Sequence, residues 1–163
     1  KRVLELLAAM GVDVEPSAMG ATVTGGGELQ GGDIDLNQNP DALPAMAVLA
    51  TQARGVTRLG NVPQARLKET DRIRVMAEEL RALGATVHEE EDGLVVEQST
   101  LRGTTVGGHD DHRVVMALAL AGLCAEGETV IEGAEAAAIT YPTFVDDFRS
   151  MGADIEIESE GQS

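Results

Sequence analysis

The sequence predicts an inside-out α/β fold, with helices packed together at the centre and sheets outside them, built from repeated units of strand, helix, strand, helix and one or two closing strands. Three observations lead there. A helix, glycine and strand pattern occurs three times, a second pattern recurs at a fixed interval, and some helices are too apolar to leave any face in water.

The first pattern runs through residues 2–15, 74–90 and 144–158. In each, apolar residues fall at helical spacing, Met-Gly or Leu-Gly follows, and an alternating strand-like run comes next. In the middle copy Ile73, Met76, Ala77, Leu80 and Leu83 share one helical face, and Gly84 suits the left-handed conformation that closes a helix. The second pattern is strand, capped Ala-rich helix, strand. Residues 33–61 match residues 104–134, with Asp41 answering Asp111 and Met46 answering Met116, seventy positions apart.

Joined, the two patterns divide the chain into a first repeat truncated at 1–32, a second over about 33–98 and a third over about 104–158. All of 1–163 then forms one portion of a domain. Helices such as ALPAMAVLA are apolar nearly all round and call for burial on every side. Three repeats are about the minimum that buries such faces, so the short first copy is expected to leave part of the core open.

Composition narrows the class. With 43% hydrophobic residues but two Phe, one Tyr and no Trp, the core must be aliphatic, and 163 residues suit a single domain. Twenty-eight acidic residues against twelve basic ones, a net charge of −16, repel nucleic acid and anionic membranes, so neither partner is expected. The balance suits a cytoplasmic protein, and a carboxylate-rich surface whose only lysines are Lys1 and Lys68 is what a high-salt cytoplasm favours. The longest apolar stretch is too short to cross a membrane and no signal pattern is visible. Cys124, the lone cysteine, rules out an internal disulfide and reads as a small buried hydrophobe rather than a metal ligand. No metal or cofactor is expected. The chain opens on a helical pattern without an initiator Met, as a fragment of a longer protein would.

Against this acidic background, RLKETDRIR places four basic side chains in residues 66–74. Thr70 or Asp71 is the natural N-cap there, which puts Arg72 and Arg74 in the first helical turn. Cations at that end oppose the helix dipole at about 0.3–1 kcal/mol each, so stability does not explain them. Arg66 and Lys68 add to the positive field. The third repeat matches, with Asp110 or Asp111 as cap and His112 and Arg113 in the opening turn, while the second offers Asp41 just after Pro40. These helix starts occupy equivalent places in a repeated architecture, so they are expected to converge. Backbone N–H groups and arginines aimed at one space suit phosphate and carboxylate. Glu69 and Asp41 in such a field could accept and donate protons. The plainer reading makes the aspartates ordinary caps, Glu69 a salt-bridge partner of Arg72 and His112 structural. Arg54, Arg58, Arg81 and Arg102 read as solvated.

NPDA at 39–42, RLKETDR at 66–72, DHRVVMALAL at 111–120 and YPTFVDDF at 141–148 together resemble the C-terminal part of the 3-phosphoshikimate 1-carboxyvinyltransferase (EPSP synthase) family. The resemblance spans essentially the whole chain, and the KETDR string is highly specific. It implies the enolpyruvyl transferase type of inside-out α/β barrel, built of βαβαββ repeats, in a two-domain enzyme whose N-terminal partner domain is absent here. It also implies the reaction, transfer of the carboxyvinyl group of phosphoenolpyruvate to the 5-hydroxyl of 3-phosphoshikimate with release of phosphate, in aromatic amino acid and chorismate biosynthesis. Carried over by motif position, Asp41 would contact the shikimate hydroxyl and accept its proton, and Glu69 would handle the proton at the phosphoenolpyruvate methylene. Lys68 would neutralise charge at the reacting centre, His112 would be catalytic, and Arg72 and Arg113 would hold phosphate and carboxylate.

Two positions depart from the family. Gln64 stands where many members have an Asn that touches the shikimate phosphate, and Ile139 where some carry a Lys that an apolar side chain cannot replace. Because the N-terminal domain would supply further phosphate-binding residues, the fragment alone is expected to be inactive. Two alternatives stand beside this reading: the sister transferase acting on UDP-N-acetylglucosamine, which lacks the KETDR string, and a non-catalytic module that merely binds an anion.

Overall fold

The computed structural model describes residues 2–158; Lys1 and residues 159–163 lie outside the described residues. Helix α1 (Arg2–Ala9) leads into the hairpin β1 (Asp13–Ser17) and β2 (Gly20–Thr24). Next come β3 (Asp33–Asp35), α2 (Leu43–Gln52), β4 (Val56–Gly60), α3 (Arg72–Ala82), β5 (Val87–Glu90) and β6 (Gly93–Glu97). The last stretch holds β7 (Thr105–Gly107), α4 (His112–Cys124), β8 (Val130–Glu132) and α5 (Phe144–Ser150). From β3 to β6 the order is βαβαββ, as the sequence predicts.

Four strands form one sheet in the order β3-β4-β6-β5, parallel between β3 and β4 and antiparallel elsewhere. On β4, Thr57 and Leu59 point inward and are fully buried, while Arg58 between them faces out. Leu59 pairs with Leu94 and Thr57 with Val96 on β6, so period-2 alternation closes one aliphatic face against the helices. Strands β7 and β8 make a second, parallel pair.

Helices α2, α3 and α4 pack against one another, and α2 and α3 also pack against the four-stranded sheet. Leu43, Ala47 and Ala50 of α2 and Val114, Leu118 and Ala121 of α4 have no exposed surface. Helices therefore lie inside and sheets outside. Each fully buried Leu or Val here stabilises the fold by about 1.5–3 kcal/mol relative to exposure. Gly11, Gly84 and Gly152 all adopt left-handed backbone after α1, α3 and α5, the conformation the glycine signal anticipates.

The periphery differs from expectation in three ways. Residues 153–158 form no strand after Gly152. Their counterpart β5 is held by β6, which follows it directly, and residues 153–158 meet no such partner among the described residues. Cys124 is exposed rather than buried, as is neighbouring Leu123, because the last turn of α4 runs past the layer that covers its middle. Arg58 is not simply solvated: it bridges Glu90 at 2.8 Å and Asp92 at 3.0 Å. In the first unit, α1 contributes no buried residue, and every residue of β2 is exposed.

Candidate functional site

Three chain segments bring charge to one place. A 3₁₀ turn, Pro40–Ala42, runs into α2 and carries Asp41; a second, Pro63–Leu67, delivers Lys68 and Glu69 ahead of α3; and Asp111 to Arg113 open α4. Proline at the start of each 3₁₀ turn pre-sets φ where no N–H partner exists. The first two turns are laced together. Gln64 Nε2 donates to the carbonyl of Asn37 at 2.8 Å, Asn37 Nδ2 to that of Asn61 at 3.2 Å, and Asn61 Nδ2 to Asp35 at 3.0 Å.

At the centre sits Arg72, 1% exposed. Its Nε lies 2.7 Å and its Nη2 3.1 Å from the two oxygens of Asp111, Nη2 also lies 2.6 Å from Glu69 Oε2, and Nη1 2.8 Å from Asp41 Oδ1. These bonds occupy all but one of the guanidinium N–H groups. Asp111, fully buried, also caps α4 by accepting from the backbone N–H of Arg113 at 2.9 Å, and Asp71 caps α3 through the N–H of Arg74. A buried cation with this many carboxylate bonds meets the condition under which such a charge survives desolvation.

Above this floor is an accessible rim. Lys68 Nζ is 3.2 Å from Asp41 Oδ1, and Arg113 Nη2 is 3.4 Å from Asp41 Oδ2. His112 Nδ1 faces Glu69 Oε1 at 4.0 Å. The side chains of Asp41, Glu69 and Arg113 are 41%, 48% and 40% exposed, open to a ligand from solvent.

Electrostatics follow from this packing. Partial burial pushes the Asp41 carboxyl up, but a hydrogen bond from Lys68 and the charges of Arg113, Lys68 and Arg72 outweigh it and hold the group below the ordinary aspartate range. Burial likewise pushes Asp111 up, and Arg72 with the N–H groups of Arg113 and Val114 holds it down. Burial disfavours the Arg72 cation, yet Asp111, Glu69 and Asp41 raise its pKa further. At neutral pH both aspartates are ionised, and the half-buried Lys68 and Arg113 lie beside Asp41.

The structure thus brings Asp41, Lys68, Glu69, Arg72, His112 and Arg113 together. Gln64 stands at the edge of the group, turned into the Asn37 loop. Arg72, expected to grip an anion, bonds three carboxylates and ties them to each other, with one N–H left over. One expectation changes. Arg66, expected to strengthen the field, is spent on Asp71 and Glu89 at 2.8 Å each. The sequence reading missed Asp111 as the buried partner of Arg72, although its repeat relation to Asp41 was a usable signal. It also missed Glu79 and His109, 2.6 Å apart beside the start of α4. Ile139 is exposed and contributes no charge.

Known proteins resemble this chain. A family model described as EPSP synthase (3-phosphoshikimate 1-carboxyvinyltransferase) matches residues 1–148. Proteins named 3-phosphoshikimate 1-carboxyvinyltransferase from Ruminiclostridium cellulolyticum and Halorubrum lacusprofundi are 54% and 42% identical, covering 96% and 98% of this chain but 37% and 36% of their own lengths. A solved EPSP synthase from Acinetobacter baumannii superposes with a TM-score of 0.88 at 32% identity, over 96% of this chain and 40% of that one. The enolpyruvyl transferase NikO from Streptomyces tendae reaches 0.77 at 28% identity, over 93% and 35%. The chain spans a little over a third of the length of these relatives. By family match, identity and inside-out α/β architecture alike, the chain belongs to the EPSP synthase family.

Proposed function

We propose that this chain is the C-terminal part of an enzyme that transfers the carboxyvinyl group of phosphoenolpyruvate to the 5-hydroxyl of 3-phosphoshikimate. The observation that carries the reading is Asp41: in a member of this family, an exposed carboxylate is held by Lys68, Arg72 and Arg113, and Glu69 shares the same guanidinium. Both substrates are anionic, which accounts for scarce positive charge being focused here.

The chemistry needs three proton movements. The hydroxyl loses its proton as its oxygen attacks C2 of phosphoenolpyruvate, and C3 gains one; then C3 gives a proton back as the C–O bond to phosphate breaks. We assign Asp41 to the hydroxyl proton and Glu69 to C3. His112 lies against Glu69 and supports that exchange. Lys68 and Arg113 offset the negative charge of phosphoenolpyruvate. Arg72 holds both carboxylates in place and reaches an anion only through its remaining N–H. Gln64 is assigned to the 3-phosphoshikimate side. An N-terminal domain would supply the remaining phosphate contacts and close over the substrates. Phosphorylated substrates that do not cross membranes place the reaction in the cytoplasm; among the described residues no helix is long and apolar enough to cross a membrane.

The test is phosphate release from phosphoenolpyruvate by the full-length protein that carries this chain, with 3-phosphoshikimate and then with UDP-N-acetylglucosamine as acceptor. Turnover with 3-phosphoshikimate alone is expected, and residues 1–163 by themselves should give none. Release only with the UDP-sugar would make it the sister transferase, and release with neither an anion-binding module.

A further inference from the structure

The connection between β7 and α4 is held at two points by a single helix. One is Arg72, at the start of α3, on Asp111. The other is Glu79, seven residues further along α3 and therefore on the same face, about 10 Å away along the axis. Glu79 Oε2 accepts from the backbone N–H of Gly107 at 3.1 Å, and Oε1 lies 2.6 Å from His109 Nε2. Its side chain is 15% exposed.

The turn so gripped is not relaxed. His109 and Asp110 both adopt left-handed backbone, with φ of 53° and 55°, a conformation that disfavours residues carrying a Cβ. Gly108 fits between Val115 and the carbonyl of Glu132, where a Cβ would lie 2.5 Å from Val115 Cγ2 and 2.8 Å from that oxygen. Two consecutive strained residues persist only when their surroundings hold them. Directly after them come Asp111, His112 and Arg113. On the strand side the Gly108 N–H donates to the carbonyl of Glu132 at 2.8 Å, and Glu79 adds a second side-chain anchor from α3 beside that of Arg72.

We propose that Glu79 and His109 are a positioning pair, which fixes the 107–110 turn and so aims His112 and Arg113 at Glu69 and Asp41 without touching substrate. Its kinetic consequence rests on the function proposed above; its effect on the turn does not.

The experiment uses the full-length protein with three substitutions. Glu79→Ala removes both bonds. His109→Asn keeps a residue that tolerates left-handed backbone but cannot reach Glu79. Glu79→Gln keeps an acceptor for Gly107 and an amide for His109. Hydrogen exchange over residues 107–114 and the KM for phosphoenolpyruvate are then measured at a temperature where all three remain folded. Glu79→Ala and His109→Asn should speed exchange across 107–114 and raise KM on the order of ten-fold, with kcat changed less, as expected when a binding group is misaimed. Glu79→Gln should stay close to the unsubstituted protein in both. Unchanged exchange in Glu79→Ala and His109→Asn overturns the proposal, and so does faster exchange with unchanged kinetic constants. If the unsubstituted protein releases no phosphate with 3-phosphoshikimate, the proposed reaction falls, and exchange alone then decides whether the pair holds the turn.

Discussion

Asp41 and Asp111, seventy positions apart at matching places in two repeats, close on one guanidinium: Arg72 lies 2.8 Å from the first and 2.7 Å from the second. The repeat therefore builds the site as well as the core. The second repeat contributes Asp41 together with Arg72, and the third contributes Asp111.

Removing that cation should be severe. Arg72→Met leaves Asp111 buried without its partner and is expected to cost about 3–5 kcal/mol, because an uncompensated buried charge has lost its hydrogen bonds to water as well as to arginine. Arg72→Lys should recover only part of this, since an ammonium cannot bond both oxygens of Asp111 and also reach Glu69 and Asp41. Urea unfolding of the three proteins ranks them; a Lys variant as stable as Arg would contradict the planar arrangement.

Acid should attack the same place. Asp41 and Asp111 are held below the ordinary value of 3.8, so their contribution to stability is fully present above that value and is lost as pH falls through the lowered folded-state values. Asp111→Asn is less stable at neutral pH, and its unfolding free energy should fall less steeply on acidification. A slope equal to that of the unsubstituted protein would show that Asp111 does not carry the dependence.

Glu69→Gln and Asp41→Asn each keep side-chain size but lose the capacity to take up a proton. Under the proposed reaction each should lower kcat of the full-length protein by about 10²–10⁴-fold, the usual worth of one general acid or base. Phosphate release followed over time measures this, and full activity in Glu69→Gln would remove it from the proton path.

Backbone packing offers a test away from the charges. A Cβ on Gly93 would land on the carbonyl of Leu59 where β4 and β6 pair, and backbone there cannot yield without breaking the ladder. Gly93→Ala should cost about 1–3 kcal/mol, the range for forcing extra volume into packed structure. Thermal unfolding checks it.

Much of this was legible in the chain. Helical spacing with Gly84 and the seventy-residue match of Asp41 with Asp111 were enough for βαβαββ units and inner helices, because period and capping are local signals. Lys68, Glu69 and Arg113 could be placed together because they stand at helix starts in equivalent places of the repeat. The depth of Arg72 could not, since a helix-start arginine looks alike in sequence whether it faces solvent or three carboxylates. Asp111 was legible as a cap but not as a buried ion partner, because a cap signal reports only the next few residues. Arg66 was misjudged because its partner Glu89 lies on β5, beyond the whole of α3, a contact that local spacing does not reveal.

The reach of Arg72 also bears on the order of folding events. Its bonds to Asp41 and Asp111 span 31 and 39 residues, so they can form only after α2, α3 and α4 have docked. Contacts that close such long loops tend to follow the nucleus rather than belong to it. Losing them should therefore hasten unfolding far more than it slows refolding, making the arginine a latch on the native state's lifetime.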